Sequence, residues 1–474
     1  MTEGVNHDEH QYIAAGKLLS SFHLLPYRDY PFFHTPLLVP IYGFVFLWTD
    51  HLLFAARLIS VLSAFALLVV LFRFSTEVFR TDRVFVQTGI GLATAAILFT
   101  NTTFTASYFR VWNQSLPLLM LFGCIGAHCM GARMRRAAWY GVSGVCIALA
   151  IGMRLSYAPL ALPLLVMTLF VPGEAWKQRL ANLLWFGAGL AVGIVPTLYF
   201  ALQDPGAFWF DNFQYNGSVN AMYRGPEAVG WPAVREKLSF ALSAFAKPSN
   251  ALLLASFLCV TLRPIGRSHF LRLILLLLPF ALWGSFAPTP SHIQYFLPVV
   301  ALMVCGVVAG LSEARTDRIR FALGGSLATA ALVLGIIVSF YAYGSVFRIG
   351  DIGDWTPSKI HAEARNLRQR VGVGPVLTFS PTVVLEAGLS IYPEFASGPF
   401  AWLTARFLSA DQRARYHFPA ESDLAEMLRE WPPTGIVLGY EEHLEGVFLR
   451  YATENRFRPG KFAKKKTLWV SPTR

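Results

Sequence analysis

The sequence predicts an α-helical polytopic membrane protein with a C-terminal extracytoplasmic α/β domain. Three observations lead there. The chain of 474 residues is 54% hydrophobic and only 14% charged, whereas soluble domains carry about 25% charged residues. The deficit is confined to residues 36–343, where ten apolar runs follow one another. From residue 344 onward the composition is ordinary, and strand-like and helix-like stretches alternate. The expected division is 1–50, an extracytoplasmic loop with interfacial helices; 51–343, a transmembrane domain; and 344–474, a soluble domain long enough to own a core.

Taken in order, residues 1–35 contain no span and no signal-peptide pattern. Residues 10–22 read as a short amphipathic helix with Ile13, Leu18, Leu19 and Phe22 on one side. Residues 36–48 are apolar but short, and a span needs about 20 apolar residues; they are expected to lie in the interface or to re-enter. The ten candidate spans cover about 52–74, 84–104, 110–130, 138–153, 156–172, 180–202, 249–262, 270–287, 291–312 and 319–343.

Orientation follows from Lys and Arg in alternate gaps. Gaps 73–83, 132–137, 173–180, 262–272 and 312–320 hold 14 of them, and the opposite gaps 101–112, 154–155 and 287–292 hold 2. The first set is therefore cytoplasmic. The head of the chain, the long loop 203–248 and the tail then face the outside. A head of about 50 residues must cross the membrane with no leading helix, so a first span is expected to be missing upstream of this sequence.

The net charge of +12 invites a nucleic-acid reading. That reading fails on distribution, because the basic residues cluster in short gaps between apolar runs. The five cysteines all lie in apolar runs, so neither a disulfide framework nor a zinc knuckle is implied.

The outer loop is rich in aromatics: Phe208, Trp209, Phe210, Phe213, Tyr215, Tyr223 and Trp231. This density suits the headgroup level or the lining of a lipid or sugar site. In the tail, Pro375–Phe379, Gly435–Gly439 and Thr467–Ser471 read as strands. Pro381–Gly388, Ser422–Glu430 and Glu441–Asn455 read as helices, and Lys461–Lys466 as a basic turn. No phosphate-cradling glycine loop is evident.

The chemistry concentrates in His7 to Pro36. This stretch holds Asp8, Glu9, Asp29 and the histidines His10, His23 and His34. Asp8 and Glu9 are neighbours, so on a helix they point about 100° apart. Only one can face a given substrate atom, and the natural split is one general base and one supporting acid. A carboxylate can take a proton from a hydroxyl as that oxygen attacks. If the leaving group is a phosphate it departs as a stable anion, and the site then needs cations rather than a general acid. Candidate cations near the outer surface are Arg28, His34, Arg57, Arg110 and Arg154. His7 and His10, at i and i+3, also permit a metal reading; without a third ligand fixed by motif, a divalent metal is not favoured.

The order Asp8-Glu9, Tyr12, Pro26-Tyr27-Arg28-Asp29-Tyr30, His34-Thr35-Pro36-Leu37, then Ala56-Arg57-Leu58 resembles the GT-C glycosyltransferases. The likeness is strongest to the branch with protein O-mannosyltransferases and lipid A aminoarabinose transferases. Trp112-Asn113-Gln114-Ser115-Leu116-Pro117 is similar to the family's second acidic site, with Asn113 where many members carry aspartate. Gly152-Met153-Arg154 resembles its glycine followed by a basic residue, and Pro290 to Pro298, with His292 and Tyr295, its late polar-aromatic-proline cluster. The family's lysine before the loop proline is replaced by His34-Thr35.

The resemblance implies Asp8 as base on an acceptor hydroxyl, Glu9 supporting it, and Asp29 as an acceptor or loop-ordering contact. It implies a polyprenyl-phosphate-sugar donor and inversion at the anomeric carbon. The phosphate contacts would be His34, Arg57, Arg110 and Arg154, and Tyr12, Asn113, His292 and Tyr295 would line the substrate. The expected partners are membrane lipid, the lipid-linked sugar, and a glycan, lipid or protein acceptor. The expected location is a bacterial inner membrane with the site facing the periplasm. Competing readings are a lipid-linked glycan ligase or polymerase, a transporter or flippase of lipid-linked sugars, and a non-catalytic assembly protein. The spans carry few acids, which disfavours an ion-coupled carrier.

Overall fold

The computed structural model describes residues 1–225, 229–262, 268–344, 350–463 and 466–472, with side chains at 341–343 excepted. Among the described residues six helices are long and apolar enough to cross a membrane: Leu52–Val78, Ser115–Met134, Trp176–Ala201, His269–Phe286, Ile293–Ala314 and Arg318–Phe340. The pair Gly230–Ala246 and Pro248–Thr261 qualifies as a broken span, bent by 87°. Val84–Phe99, Ala138–Met153 and Leu155–Leu169 are apolar but shorter. The chain is thus an integral membrane protein. Arg263 and Arg267, two of the orienting residues, lie outside the described residues.

Several expected spans are shorter because a polar residue interrupts them. The run at 84–104 ends at Phe99, where Asn101 caps a new turn by accepting from the Thr103 N–H at 2.9 Å. The run at 110–130 becomes helical only at Ser115. That leaves Asn113 and Gln114 in irregular backbone, free to aim their side chains.

Close helix packing rests on glycine. A Cβ at Gly144 would stand 2.2 Å from the Phe186 carbonyl oxygen, and one at Gly189 would stand 1.9 Å from that of Gly141. Only bare backbone lets Ala138–Met153 and Trp176–Ala201 approach so closely. Gly152 does a related job for the head. It seats Leu37, whose N–H donates to the Gly152 carbonyl at 2.9 Å, and it leaves no room for a Cβ, which would lie 2.4 Å from Leu37 Cδ1. This contact holds His34-Thr35-Pro36 close to Arg154.

The head forms the helix His7–Lys17, continued by a wider turn to Phe22. The expected one-sided pattern is not observed, because residues from Glu9 to Lys17 are all buried. Spans lie beneath them, and the C-terminal domain covers them. Leu38–Phe46 is a short helix with Phe44, Leu47 and Trp48 exposed around it, as suits an interfacial element. The loop 203–248 is largely helical, through Pro205–Trp209, Phe210–Val219, Asn220–Arg224 and Gly230–Ala246.

The tail builds a five-stranded sheet from β1 (Pro375–Leu377), β2 (Ser390–Ile391), β3 (Gly435–Leu438), β4 (Arg458–Ala463) and β5 (Lys466–Val470), in the order β2-β1-β3-β5-β4. β1 pairs in parallel with β2 and β3, and β5 runs antiparallel to β3 and β4. The helix expected from Glu441 begins only at Gly446, because the Glu445 carboxylate turns back to accept from the N–H groups of Gly439, Tyr440 and Glu441. The expected basic turn is partly strand, since β4 runs to Ala463; Lys464 and Lys465 lie outside the described residues. Lys466 binds Glu363 at 2.8 Å.

Head, loop and tail pack together. One apolar core joins Tyr12, Ile13 and Leu38 of the head to Ile360, Val383 and Leu385 of the tail. A second joins Phe33, Phe210, Tyr215 and Phe418, with Phe33 and Tyr215 stacked at 3.8 Å.

Candidate active site

Asn6 starts the head helix. Its side chain accepts from the Asp8 N–H at 3.1 Å, and its own N–H donates to Glu9 Oε2 at 2.9 Å. This reciprocal cap fixes Asp8 and Glu9 in the first turn, where the positive end of the helix favours carboxylates. From there the two acids part.

Glu9 turns inward. Its Oε1 accepts from Arg57 Nε at 2.9 Å and from the Val111 N–H at 3.0 Å, and its Oε2 accepts from Arg57 Nη2 at 2.8 Å. Burial pushes this carboxyl up, but the hydrogen bonds and charge of Arg57, helped by the Val111 and Asn6 N–H groups, outweigh it and hold it below the ordinary value. Arg57 spends its other donors on the Glu3 and Gly4 carbonyls, each at 2.9 Å. It is fully buried and lines neither cavity described below. The expectation that Arg57 meets a phosphate is therefore corrected: its guanidinium is consumed in orienting Glu9.

Asp8 turns outward, to where two cavities meet. Among the described residues no hydrogen bond reaches its carboxylate. Burial raises its pKa, with His7 and Arg154 pulling the other way. It keeps some accessible surface only because it faces the cavities.

The larger cavity, about 650 Å³, is lined by Asp8, Tyr12, His34, Asn113, Arg154 and Tyr295, with an apolar wall that includes Phe213 and Trp283. Arg154 caps the helix Ala138–Met153 in extended backbone. It donates from Nη1 to Asn113 Oδ1 at 2.5 Å and from Nε to Ser156 Oγ at 2.8 Å, and its guanidinium lies 4.7 Å from the centre of the Tyr295 ring. With its amide oxygen turned inward, Gln114 accepts from the same Nη1 at 2.6 Å. These contacts aim a planar, permanently charged fork at the cavity.

His34 also lines the cavity, stacked on Tyr12 at 5.1 Å and bonded to Gln11 Nε2 at 3.0 Å. Burial, reinforced by Arg154, pushes its pKa down to about 3. His34 therefore offers a neutral hydrogen-bonding ring, not the positive charge expected of it. The smaller cavity, about 300 Å³, shares Asp8, His34 and Tyr295 and adds Asn220, Arg224, His292 and Thr404. Tyr12, Asn113, His292 and Tyr295 each line one or both of these cavities.

Two more expectations are corrected. Arg110 lines neither cavity; it lies over Trp112 and approaches Glu3 Oε2 at 3.8 Å. Asp29 also lies outside both, accepting from the Leu25 N–H at 2.6 Å and pairing with Arg28 at 2.8 Å. These contacts tie down the turn of the head loop. The metal reading of His7 and His10 does not match either. His7 binds Glu441 at 2.6 Å, and His10 contacts Thr382 Oγ1 at 2.7 Å and Ser380 Oγ at 3.3 Å. Both rings dock the tail.

Sequence reasoning missed Ser156, Asn216 and Arg224, and it met Gln114 only as part of the Trp112–Pro117 motif. It also missed Asp211, whose buried carboxylate accepts from the Phe32 N–H at 2.9 Å and shapes the head loop. For Asp211, Asn216 and Arg224 the signal was the aromatic-rich loop 203–248. Phe213 of that loop lines the cavity while Trp231 is 74% exposed, so both readings of the loop have support.

Helices and sheet together define a polytopic membrane protein with a C-terminal α/β domain. No protein-family model matches the chain, and no curated protein sequence does. Solved structures do. ArnT from Cupriavidus metallidurans bound to undecaprenyl phosphate superposes with a TM-score of 0.60 at 14% identity, over 99% of this chain and 94% of that one. Its apo state gives 0.60 at 13%. The archaeal oligosaccharyltransferase AglB from Archaeoglobus fulgidus, in complex with an inhibitory peptide and a dolichol-phosphate, gives 0.50 at 12%, over 95% of this chain and 67% of that one. At such identity the likeness is one of fold.

Proposed function

We propose that this protein is a glycosyltransferase that moves a sugar from a polyprenyl-phosphate donor to an acceptor hydroxyl on the extracytoplasmic face of the membrane. The observation that carries the reading is Asp8, a carboxylate without a hydrogen-bond partner among the described residues, at the meeting of two cavities, one of which presents Arg154 beside an apolar wall. The fold shared with ArnT, whose structure holds undecaprenyl phosphate, supports it.

In this reading the larger cavity takes the donor. Arg154 pairs with the phosphate, and the apolar wall takes the start of the lipid. The acceptor enters through the smaller cavity. Its hydroxyl gives a proton to Asp8 while the oxygen attacks the anomeric carbon. The bond from that carbon to the phosphate oxygen breaks, and the lipid phosphate leaves carrying the bonding electrons. Attack from the side opposite the phosphate inverts the centre. Arg154 stabilises the growing phosphate charge, His34 contributes a hydrogen bond, and Glu9 positions Asp8 by holding the helix start. The Lys and Arg distribution supports a site on the extracytoplasmic side.

The test is glycan and lipid profiling of cells carrying Asp8→Asn, beside wild type and a deletion, at matched membrane levels of the protein. Asp8→Asn should reproduce the deletion, and the missing mass identifies the sugar. If Asp8→Asn matches wild type while the deletion has a defect, the base assignment is wrong and a carrier or ligase takes its place.

A further inference from the structure

Outside both cavities, three residues far apart in sequence converge where the loop before Leu52 meets the C-terminal domain. His51 ends that loop, His361 lies on the helix Thr356–Arg370, and Glu386 ends the helix Pro381–Glu386. We propose that His51, His361 and Glu386 form a site for one zinc-class divalent cation that clamps the C-terminal domain to the mouth of the membrane domain.

The geometry carries the proposal. One ligand atom from each residue lies within 4.8 Å of the other two. His361 Nδ1 and Glu386 Oε1 are 3.1 Å apart. Ligands on bonds of about 2.0–2.1 Å in a tetrahedron are separated by about 3.3 Å, so this pair already has nearly the required spacing. The two imidazoles are stacked, 3.7 Å between centroids at 22°, so ligation requires the exposed His51 ring to swing out of the stack until its nitrogen faces the third corner. Two imidazoles and one carboxylate suit zinc or cobalt and leave one position for water. Calcium and magnesium want oxygen ligands instead.

The surroundings fit an ion as well. The second carboxylate oxygen of Glu386 accepts from the Leu53 N–H at 3.2 Å, which fixes the ligand from behind, as outer partners do in metal sites. The clamp would act on the face that seats the active-site helix, because Thr382, one turn before Glu386, contacts His10.

The experiment uses the full chain purified in detergent, stripped with a chelator and titrated with zinc, read by elemental analysis and by thermal unfolding. Cobalt serves as a spectroscopic stand-in. The expected result is one equivalent of zinc per chain, visible cobalt bands of a histidine-ligated site, and a Tm that rises with zinc. His51→Ala, a change at an exposed side chain, should weaken zinc binding by at least about 10–100-fold, the range already seen for outer partners. It should also abolish the Tm rise, whereas His7→Ala should leave both intact. A chain that retains no zinc, or a His51→Ala protein that holds it as tightly as wild type, overturns the site. Neither result bears on transfer by Asp8.

Discussion

Arg57 Nη2 lies 2.8 Å from Glu9 Oε2, with both side chains fully buried. The pair decides the division of labour between two adjacent acids. Glu9 is held ionised and turned inward, so Asp8, next along the first turn, can only face out. Removing one partner of a buried pair leaves an uncompensated charge, at a cost of about 3–5 kcal/mol. Arg57→Met and Glu9→Gln are each expected to lower Tm strongly in purified protein. Their loss of activity should track the loss of folded protein.

Asp8→Asn should behave in the opposite way. A missing general base costs about 10²–10⁴-fold in rate, with the protein still folded. Burial raises the Asp8 pKa, so the folded state prefers its protonated form. Its ionisation weakens the fold as pH rises from the unfolded value through the folded one. Above that window Asp8→Asn is expected to raise Tm, by about 1–2 °C for a fraction of a kcal/mol. A variant that is both inactive and less stable would point to a structural role instead.

Transfer should require the ionised Asp8. The rate is therefore expected to rise with pH along a limb whose midpoint lies above the ordinary carboxylate value of 3.8. It should stay high above that limb. His34, with its pKa near 3, stays neutral throughout and adds no second limb. A pH–rate profile of kcat/KM checks this, and the limb should vanish in Asp8→Asn.

Arg154 holds its place through Asn113 and Ser156. Arg154→Lys keeps the charge but loses the fork, so Asn113 and Ser156 can no longer aim it. We expect kcat to fall by about 10²-fold, in the range of one lost electrostatic donor, and donor KM to rise. Arg154→Ala should be worse on both. Steady-state kinetics with the lipid donor varied separates the two effects.

Packing between Ala138–Met153 and Trp176–Ala201 offers a test with no chemistry in it. A methyl at Gly189 would meet backbone 1.9 Å away, which no rotamer change can relieve. Gly189→Ala is expected to destabilise by about 1–3 kcal/mol, seen as a lower Tm. Because Gly152 ends one of these helices against Leu37, activity should fall with it.

Composition and local pattern determined much of this protein. A shortage of charge over three hundred residues can be satisfied only in a membrane. The adjacency of Asp8 and Glu9 means that one helix cannot present both to one atom. Short apolar runs bounded by turn residues located β1, β3 and β5 within a residue or two. These are properties of near neighbours along the chain. Tertiary structure decided which acid faces the cavities, because Glu9 finds Arg57 forty-eight positions away. It set Arg110 and Asp29 aside and made His34 neutral by burying it. It also turned the loop 203–248 into helices and gathered His51, His361 and Glu386. Hydropathy repeats over a few residues, whereas the direction and charge of a side chain depend on what packs against it, and in a membrane fold those partners come from distant helices.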